Sequence, residues 1–217
     1  MNMRKAIIFD LDGTLLDTLQ DLANAVNAAL TANGMPERTV DEVRRFVGNG
    51  VRNLMLQAVP GADANPLFEK TFADFKAYYG AHCKENTAPY PGVPELLTEL
   101  KRRGIKAAIV SNKIDFAVKE LDREYFAGMT GAAIGEMEGV ARKPAPDTVN
   151  KAMAELGVMA EECIYVGDSD VDIMTARNAG MPCISVTWGF RDREFLAEHG
   201  ASLYVDTPEQ VLELALE

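Results

Sequence analysis

Polar residues suited to binding and transferring a charged group follow three short apolar runs of the sequence. They are Asp10, Asp12, Gly13 and Thr14 after AIIF, Ser111 and Asn112 after IKAAIV, and Asp168 and Asp172 after CIYV. Four carboxylates gathered in one place repel one another, and burial raises the free energy of ionising them, so such a cluster requires a cation. Oxygen ligands with no neighbouring His or Cys suit a hard ion such as Mg²⁺. Together with Lys143, these residues would form a cage for a phosphoryl group in transfer.

Each of these groups also has an ordinary structural explanation. Asp and Gly after a strand are common turn residues, and Asp or Ser before a helix is a common N-cap. For any one group taken alone, that explanation is favoured. The combination favours a functional site, because all the groups would converge on one edge of one sheet.

The pattern that positions these residues is an alternation of strands and helices from about residue 88 onward. The apolar runs lie at 105–110, 132–134, 163–166, 183–186 and 201–205. The amphipathic segments lie at 93–103, 114–125, 145–156, 169–179 and 208–216. With a further strand at 6–9, this alternation predicts an α/β fold, a doubly wound parallel sheet with a Rossmann-like core. Ligands of such sheets bind beyond the carboxyl ends of the strands, where the polar residues are expected.

The segment between the first strand and about residue 83 breaks this alternation and contains helical patterns only. The predicted helices begin at Thr18 and Thr39 and cover 51–59 and 66–83. Thr18-x-x-Asp21 is the capping pattern of the first helix. We therefore expect an α/β core formed by 1–15 and 88–217, with an α-helical cap domain, 16–87, inserted after the first strand.

The composition excludes several classes of protein. The 217 residues are 47% hydrophobic and 25% charged, which is incompatible with a disordered or collagen-like chain. A net charge of −11 disfavours nucleic acid and anionic membranes as partners. The N-terminus lacks a signal-peptide pattern, and the three cysteines contain no CxxC spacing, so we expect reduced thiols in a cytoplasmic protein. With two isolated histidines, a His-rich zinc site is excluded.

Four short motifs resemble, in order, those of the haloacid dehalogenase superfamily of phosphatases. FDLDGTLLDT at 9–18 contains the first, DxDGT, and Ser111 corresponds to the second. Lys143-Pro144-x-Pro146 corresponds to the third, and GDSDVDI at 167–173 to the fourth. The helical insert is similar to the family's α-helical cap. VGNGVRNLM at 47–55 and VTWGF at 186–190 are most similar to the phosphoglycolate phosphatase branch.

The resemblance implies a role for each motif residue. Asp10 would be the nucleophile that forms an aspartyl-phosphate, and Asp12 would protonate the leaving group and then activate water. Lys143 would neutralise the phosphoryl charge and orient Asp10. The implied metal-binding residues are Asp10, Asp12 through its backbone carbonyl, Asp168, and Asp172 through the metal's waters. The implied substrate-binding residues are Gly13, Thr14, Ser111, Asn112 and Lys143.

Outside the four motifs, three residues carry more open interpretations. Arg45 and Asn49 flank or belong to the Gly48-Asn49-Gly50 turn of the helical insert, where they could contact the substrate. Surface solvation is the favoured explanation for an isolated arginine such as Arg45. Lys113 is an alternative to Lys143 as the lysine that binds the phosphoryl group, but only Lys143 has the KPxP context.

The implied activity is Mg²⁺-dependent hydrolysis of a small phosphate monoester, with 2-phosphoglycolate as the leading substrate. A pyrophosphatase or a sugar phosphomutase could use the same core. A receiver-like signalling domain and a non-catalytic binding protein are alternatives from another class, although the first has no use for a helical insert and the second would be expected to lack Asp10 or Asp12. We expect a monomer or homodimer that acts on a small phosphorylated metabolite.

Overall fold

The computed structural model describes residues 4–216, which form two compact units. One unit comprises the chain up to Leu16 together with the chain from Pro89 onward, and the other is Asp17–Ala88. The first unit contains a six-stranded sheet, whereas the second is built of helices. The predicted fold class, an α/β core with a helical insertion after the first strand, is confirmed.

The sheet of the α/β unit is parallel throughout. The strands of the chain are β1 (Ala6–Phe9), β2 (Leu16–Asp17), β3 (Ala88–Pro89), β4 (Lys106–Ile114), β5 (Ala132–Glu136), β6 (Cys163–Gly167), β7 (Cys183–Val186) and β8 (Tyr204–Val205). β2 pairs with β3, and the other six lie in the order β5-β4-β1-β6-β7-β8. Phe9 lies opposite Ile109 of β4 and Val166 of β6, so the chain leaves these three strands at one edge of the sheet.

Four α-helices make up the unit Asp17–Ala88, as the sequence predicts. They are α1 (Leu19–Ala32), α2 (Val40–Phe46), α3 (Val51–Ala58) and α4 (Phe68–His82). Thr39 and Glu42 form a capping box at the predicted start of α2. The Glu42 backbone N–H donates to the Thr39 hydroxyl at 3.2 Å, and the Glu42 carboxylate accepts from the Thr39 N–H at 2.8 Å.

The capping pattern predicted at the start of α1 is wrong. Within residues 4–216, the Thr18 hydroxyl is buried without a hydrogen-bond partner and caps no backbone N–H. Asp21 instead accepts hydrogen bonds from Asn86 and Thr87, which follow α4. The carboxylate therefore ties the first turn of α1 to the end of the same unit, a long-range contact that the local pattern does not reveal.

Helices cover both faces of the sheet in the α/β unit. They are α5 (Val93–Arg102), α6 (Asp115–Tyr125), α7 (Asp147–Leu156), α8 (Asp170–Asn178), α9 (Arg193–Glu198) and α10 (Pro208–Leu216). Ile7 and Phe9 pack in a core with α5, α6 and α10, whereas Ile8 packs on the other face with α7 and α8. This division follows from the two-residue period of a strand and makes the sheet doubly wound.

Three details differ from the predicted elements. β4 continues through Ile114, four residues past the predicted end, so that Ser111 and its neighbours lie within the strand. Of the run 201–205, only Tyr204–Val205 is a strand, and α9 was not predicted. Among residues 4–216, no helix has both the length and the apolar character needed to cross a membrane.

Candidate active site

The carboxyl end of the central strand β1 supplies the first candidate residue, Asp10. Its backbone N–H continues the sheet pairing by donating to the Val166 carbonyl at 2.9 Å, which fixes the residue between β4 and β6. Its Oδ1 accepts from the Leu11 N–H at 2.7 Å and from the Lys143 ammonium at 2.8 Å. Because both contacts within residues 4–216 involve Oδ1, Oδ2 is left available to react.

Lys143, in the segment that precedes α7, bridges two carboxylates. Its Nζ lies 2.8 Å from Oδ1 of Asp10 and 2.8 Å from Oδ1 of Asp172, and its side chain is only 2% exposed. The Asn112 amide donates to the Lys143 carbonyl at 3.1 Å and so links the lysine to β4. Burial alone lowers the pKa of the Lys143 ammonium, but the two adjacent carboxylates raise that pKa above its ordinary value. The lysine is therefore a fixed positive charge beside Asp10.

Asp172 is held by four hydrogen bonds. Oδ1 accepts from Lys143 and from the Tyr165 hydroxyl at 3.0 Å. Oδ2 accepts from the backbone N–H of Ser169 at 3.1 Å and from its hydroxyl at 2.6 Å, which is the capping box of α8. The N-terminus of a helix favours a carboxylate at this position. Asp172 thus combines a helix-capping role with a place beside Asp10.

Asp168 leaves β6 next to Asp172 and is held by a loop after β7. The Phe190 N–H donates to its Oδ2 at 2.7 Å, and the Thr14 hydroxyl lies 3.4 Å from its Oδ1. Burial, followed by the negative charge of Asp172, raises the pKa of Asp168 to about 7. The same loop contacts the segment after β1, because the Trp188 indole N–H donates to the Thr14 carbonyl at 3.1 Å.

Glycines allow the loops to approach these carboxylates closely. A Cβ on Gly13, whose φ of 88° lies in the left-handed region, would stand 2.4 Å from Asp168 Oδ2. A Cβ on Gly189 would stand 2.3 Å from the Asp168 Cβ, and one on Gly167 would stand 2.3 Å from the Asp172 Cβ. These distances are too short for any side chain, so glycine is required at each position by close packing.

The three carboxylates fit a hard divalent cation. Asp10, Asp168 and Asp172 are buried and each offers an oxygen within 4.8 Å of the others. Burial first, and then the charge of Asp172, also raises the pKa of Asp10 well above its usual range. With all three ionised, Lys143 leaves two negative charges in excess, and the donor atoms are oxygens only. Mg²⁺ matches both the charge and the donor chemistry.

Asp12 is separate from this group. Its Oδ1 lies 2.8 Å from the Lys113 ammonium and its Oδ2 lies 3.3 Å from the Ser111 hydroxyl. The four-carboxylate cluster expected from the sequence is therefore a group of three plus one carboxylate with its own lysine, because the Lys113 charge holds Asp12. The metal contact that the family resemblance implies for the Asp12 backbone carbonyl stays a prediction.

Sequence reasoning did not find Tyr165 as a site residue, left Trp188 and Phe190 open between a place beside the site and core packing, and treated Lys113 only as a rival of Lys143. Trp188 and Phe190 follow a strand end, which was the available signal. Tyr165 carried none, because it lies inside an apolar run. Lys113 stands two residues after Ser111, and this strand spacing places both side chains on one face.

The structure places Arg45 and Asn49 in the helical unit, and both are exposed. The Arg45 guanidinium donates to the Asp41 carbonyl at 3.1 Å, one turn earlier in α2. Asn49 lies in the turn that precedes α3. Their proposed contacts with a substrate stay predictions.

Comparison with known proteins supports the family resemblance. The family described as haloacid dehalogenase-like hydrolase matches residues 7–186. The chain is 32% identical to phosphoglycolate phosphatase 1 of Pseudomonas aeruginosa over 97% of this chain and 79% of that protein. It is 31% identical to the N-acetylmuramic acid 6-phosphate phosphatase of the same organism, over 97% of this chain and 94% of that protein. A crystal structure from Lactobacillus delbrueckii subsp. bulgaricus is 39% identical, with a TM-score of 0.94 and 99% of each chain covered.

Proposed function

Because the chain belongs to the haloacid dehalogenase-like hydrolase family, we propose that it hydrolyses a small phosphate monoester through an aspartyl-phosphate on Asp10, with 2-phosphoglycolate as the substrate. The chain is a phosphoric monoester hydrolase, as its relatives are. Beyond this reaction class, we propose the identity of the nucleophile, the dependence on Mg²⁺ and the identity of the substrate.

One observation carries the proposal: Lys143 holds Oδ1 of the buried Asp10 while Oδ2 is left to react. A carboxylate oriented by a fixed ammonium can approach phosphorus in a single direction, which lowers the entropy lost on reaching the transition state. The same ammonium offsets the charge of a phosphoryl group next to the carboxylate. Both effects act at the atom where the new P–O bond would form.

The chain's own residues divide the reaction into two steps. Asp10 Oδ2 attacks phosphorus while Asp12 gives a proton to the leaving oxygen, and Ser111 donates to a phosphoryl oxygen. Asp12 then takes a proton from the water that attacks the aspartyl-phosphate. Asp10, Asp168 and the Asp12 carbonyl would hold Mg²⁺, with Asp172 alongside, and the ion would supply positive charge that offsets the negative charge of a phosphoryl group.

The names of the relatives support the choice of substrate. Phosphoglycolate phosphatases of Pseudomonas aeruginosa and Agrobacterium fabrum are 32% and 36% identical to the chain. N-acetylmuramic acid 6-phosphate is a second candidate, because the phosphatase that bears its name is similar to this chain at nearly the same identity. Arg45 and Asn49, which are exposed in the helical unit, are the residues that we propose select the substrate.

Release of inorganic phosphate from a panel of phosphate esters tests the proposal. The panel contains 2-phosphoglycolate, N-acetylmuramic acid 6-phosphate, p-nitrophenyl phosphate and pyrophosphate, each with Mg²⁺. We expect the highest kcat/KM for 2-phosphoglycolate and loss of nearly all turnover in Asp10→Asn, because an amide has the same shape but is a poor nucleophile. A preference for pyrophosphate, or substantial turnover by Asp10→Asn, would contradict the proposal.

A further inference from the structure

A second buried lysine, Lys113, pairs with Asp12 in the α/β unit. Its Nζ lies 2.8 Å from Asp12 Oδ1, and the lysine and aspartate side chains are 4% and 13% exposed. Buried lysines are uncommon unless a charged partner accompanies them. The pair is electrically neutral while Asp12 is ionised, and it carries one positive charge when Asp12 holds the proton that it gives to the leaving oxygen. Lys113 thus contacts Asp12, whereas Lys143 contacts Asp10 and Asp172.

A bulge in β4 fixes the backbone of Lys113. Between Val110 and Ile114 the strand advances four residues while its partner β5 advances only two, from Ile134 to Glu136. Bulges redirect side chains at functional sites. Gly135 of β5 lies against this bulge, where a Cβ would stand 2.6 Å from the Lys113 carbonyl oxygen. The packing of the two strands thus leaves the lysine backbone little freedom.

The two oxygens of Asp12 have different partners. Oδ1 meets the ammonium of Lys113, and Oδ2 meets the hydroxyl of Ser111 at 3.3 Å. The Ser111 hydroxyl also accepts from the Lys113 backbone N–H at 3.1 Å. The contact with Oδ1 is short and charged, whereas the contact with Oδ2 is long and neutral, so the second is the more easily given up.

We propose that Lys113 is a positioning residue that tethers Oδ1 of Asp12 and leaves Oδ2 as the oxygen that carries the proton. When a phosphoryl oxygen takes the Ser111 hydroxyl, the 3.3 Å contact between that hydroxyl and Oδ2 is given up while the tether to Oδ1 persists. The carboxyl group then cannot rotate away from the reacting atoms. This inference rests on the proposed function, since it assigns Lys113 a part in the acid–base step of that reaction.

The proton transfers balance in both steps. As the bond from Asp10 Oδ2 to phosphorus forms, the bond from phosphorus to the leaving oxygen breaks, and that oxygen takes the proton from Asp12 Oδ2. In the second step, water forms a bond to phosphorus, the bond to Asp10 breaks, and the water proton passes to Asp12 Oδ2. Lys113 keeps its proton throughout and acts only on the direction of the carboxyl group.

The leaving group tests this role, because p-nitrophenolate can depart without a proton, whereas an alkoxide needs one. The measurement is the single-turnover rate of enzyme phosphorylation by 2-phosphoglycolate and by p-nitrophenyl phosphate, with Mg²⁺. In Lys113→Met we expect the rate with 2-phosphoglycolate to fall about 10- to 100-fold, as for a displaced catalytic group. The rate with p-nitrophenyl phosphate should change less than about threefold, and KM should be unchanged for both esters.

Lys119→Met is the matched control. Lys119 pairs with Asp115 at 2.7 Å in α6, but it is half-exposed and no catalytic role is proposed for it, so both rates should stay at the wild-type values. Equal losses with the two esters in Lys113→Met would overturn the inference and leave the proposed function standing. Absence of hydrolysis by the wild-type enzyme would instead overturn the proposed function.

A second comparison applies even where Lys113→Met does not fold. Asp12→Asn combined with Lys113→Met carries no buried charge at the pair, and it is compared with Asp12→Asn alone. Since Lys113 acts only through Asp12, we expect the two proteins to have the same phosphorylation rate with 2-phosphoglycolate. A further loss of more than about threefold in the double variant would show that Lys113 acts on another group and would overturn the inference.

Discussion

Buried aspartates occur in both units, and their surroundings are opposite. In the helical unit, Asp21 is 3% exposed and accepts five hydrogen bonds from Asn86 and Thr87, all from neutral donors. Burial acts to raise the pKa of Asp21, but these hydrogen bonds outweigh it and lower the pKa. In the α/β unit, burial and the charge of Asp172 raise the pKa of Asp10 and of Asp168.

The difference shows that the partners of a buried carboxylate, and not its burial, separate a structural group from a functional one. Asp21 is complete within its own unit, because every contact is supplied by the chain. Asp10 and Asp168 face other carboxylates, and only an added cation and a phosphoryl group would complete their surroundings. Strongly perturbed groups of this kind concentrate at catalytic sites.

Removal of divalent ions should give the largest contrast between the two regions. After EDTA treatment we expect complete loss of hydrolysis with the fold retained, because the apolar sheet does not depend on the ion, and restoration by Mg²⁺. In Asp168→Ala the Mg²⁺ concentration for half-maximal activity should rise at least about tenfold. Asp21→Asn should leave it unchanged. Full activity in EDTA, or an unaltered Mg²⁺ requirement in Asp168→Ala, would contradict the metal proposal.

A glycine from each unit provides a second comparison between the two regions. Gly189→Ala should lower kcat/KM about 100-fold, because the new methyl group would displace Asp168 by several tenths of an ångström or more. Overpacking should also destabilise the fold by about 1–3 kcal/mol. Gly80→Ala, in helix α4 of the other unit, has nothing within 4 Å of the added methyl and should retain full activity. Equal activities of the two variants would show that Asp168 tolerates movement.

Truncation of Asp21 should affect stability and not chemistry. Asp21→Ala leaves the backbone N–H groups of Asn86 and Thr87 without their acceptor, so we expect a loss of about 2–4 kcal/mol in the free energy of unfolding. The affinity for Mg²⁺ should stay at the wild-type value. Chemical denaturation combined with a metal titration of the same preparation measures both quantities. A loss below about 0.5 kcal/mol would mean that water replaces the carboxylate.

The sequence was informative where a local pattern decides the structure. Alternating apolar runs predicted the parallel strands. The polar residues directly after these runs included Asp10 and Asp168, because a change from apolar to polar residues marks the end of a buried strand. The capping assignment of Thr18 and Asp21 failed, since the partners of Asp21 lie 65 and 66 residues away. The same limit applies to Lys113, whose partner Asp12 lies 101 residues away.

The dependence of stability on pH is the smallest expected effect, and it has opposite signs in the two regions. In the unfolded chain an aspartate titrates near pH 3.9. The folded pKa of Asp168 is raised to about 7, so its stabilising effect is complete below pH 4 and is lost as the pH rises toward 7. The folded pKa of Asp21 is lowered, so its effect is present above pH 4 and is lost only on further acidification.

Between pH 5 and pH 7 in EDTA, Asp168 therefore dominates the dependence of stability on pH. We expect acidification over that range to raise the stability of the metal-free protein on the order of 1 kcal/mol, or about 2–4 °C in Tm. Saturating Mg²⁺ should reverse the trend, because it binds the ionised carboxylates. Asp168→Asn should flatten the profile in EDTA, whereas Asp21→Asn should preserve it over this range. A metal-free protein whose Tm falls on going from pH 7 to pH 5 would mean that the carboxylates near Lys143 are already ionised and satisfied without a divalent ion.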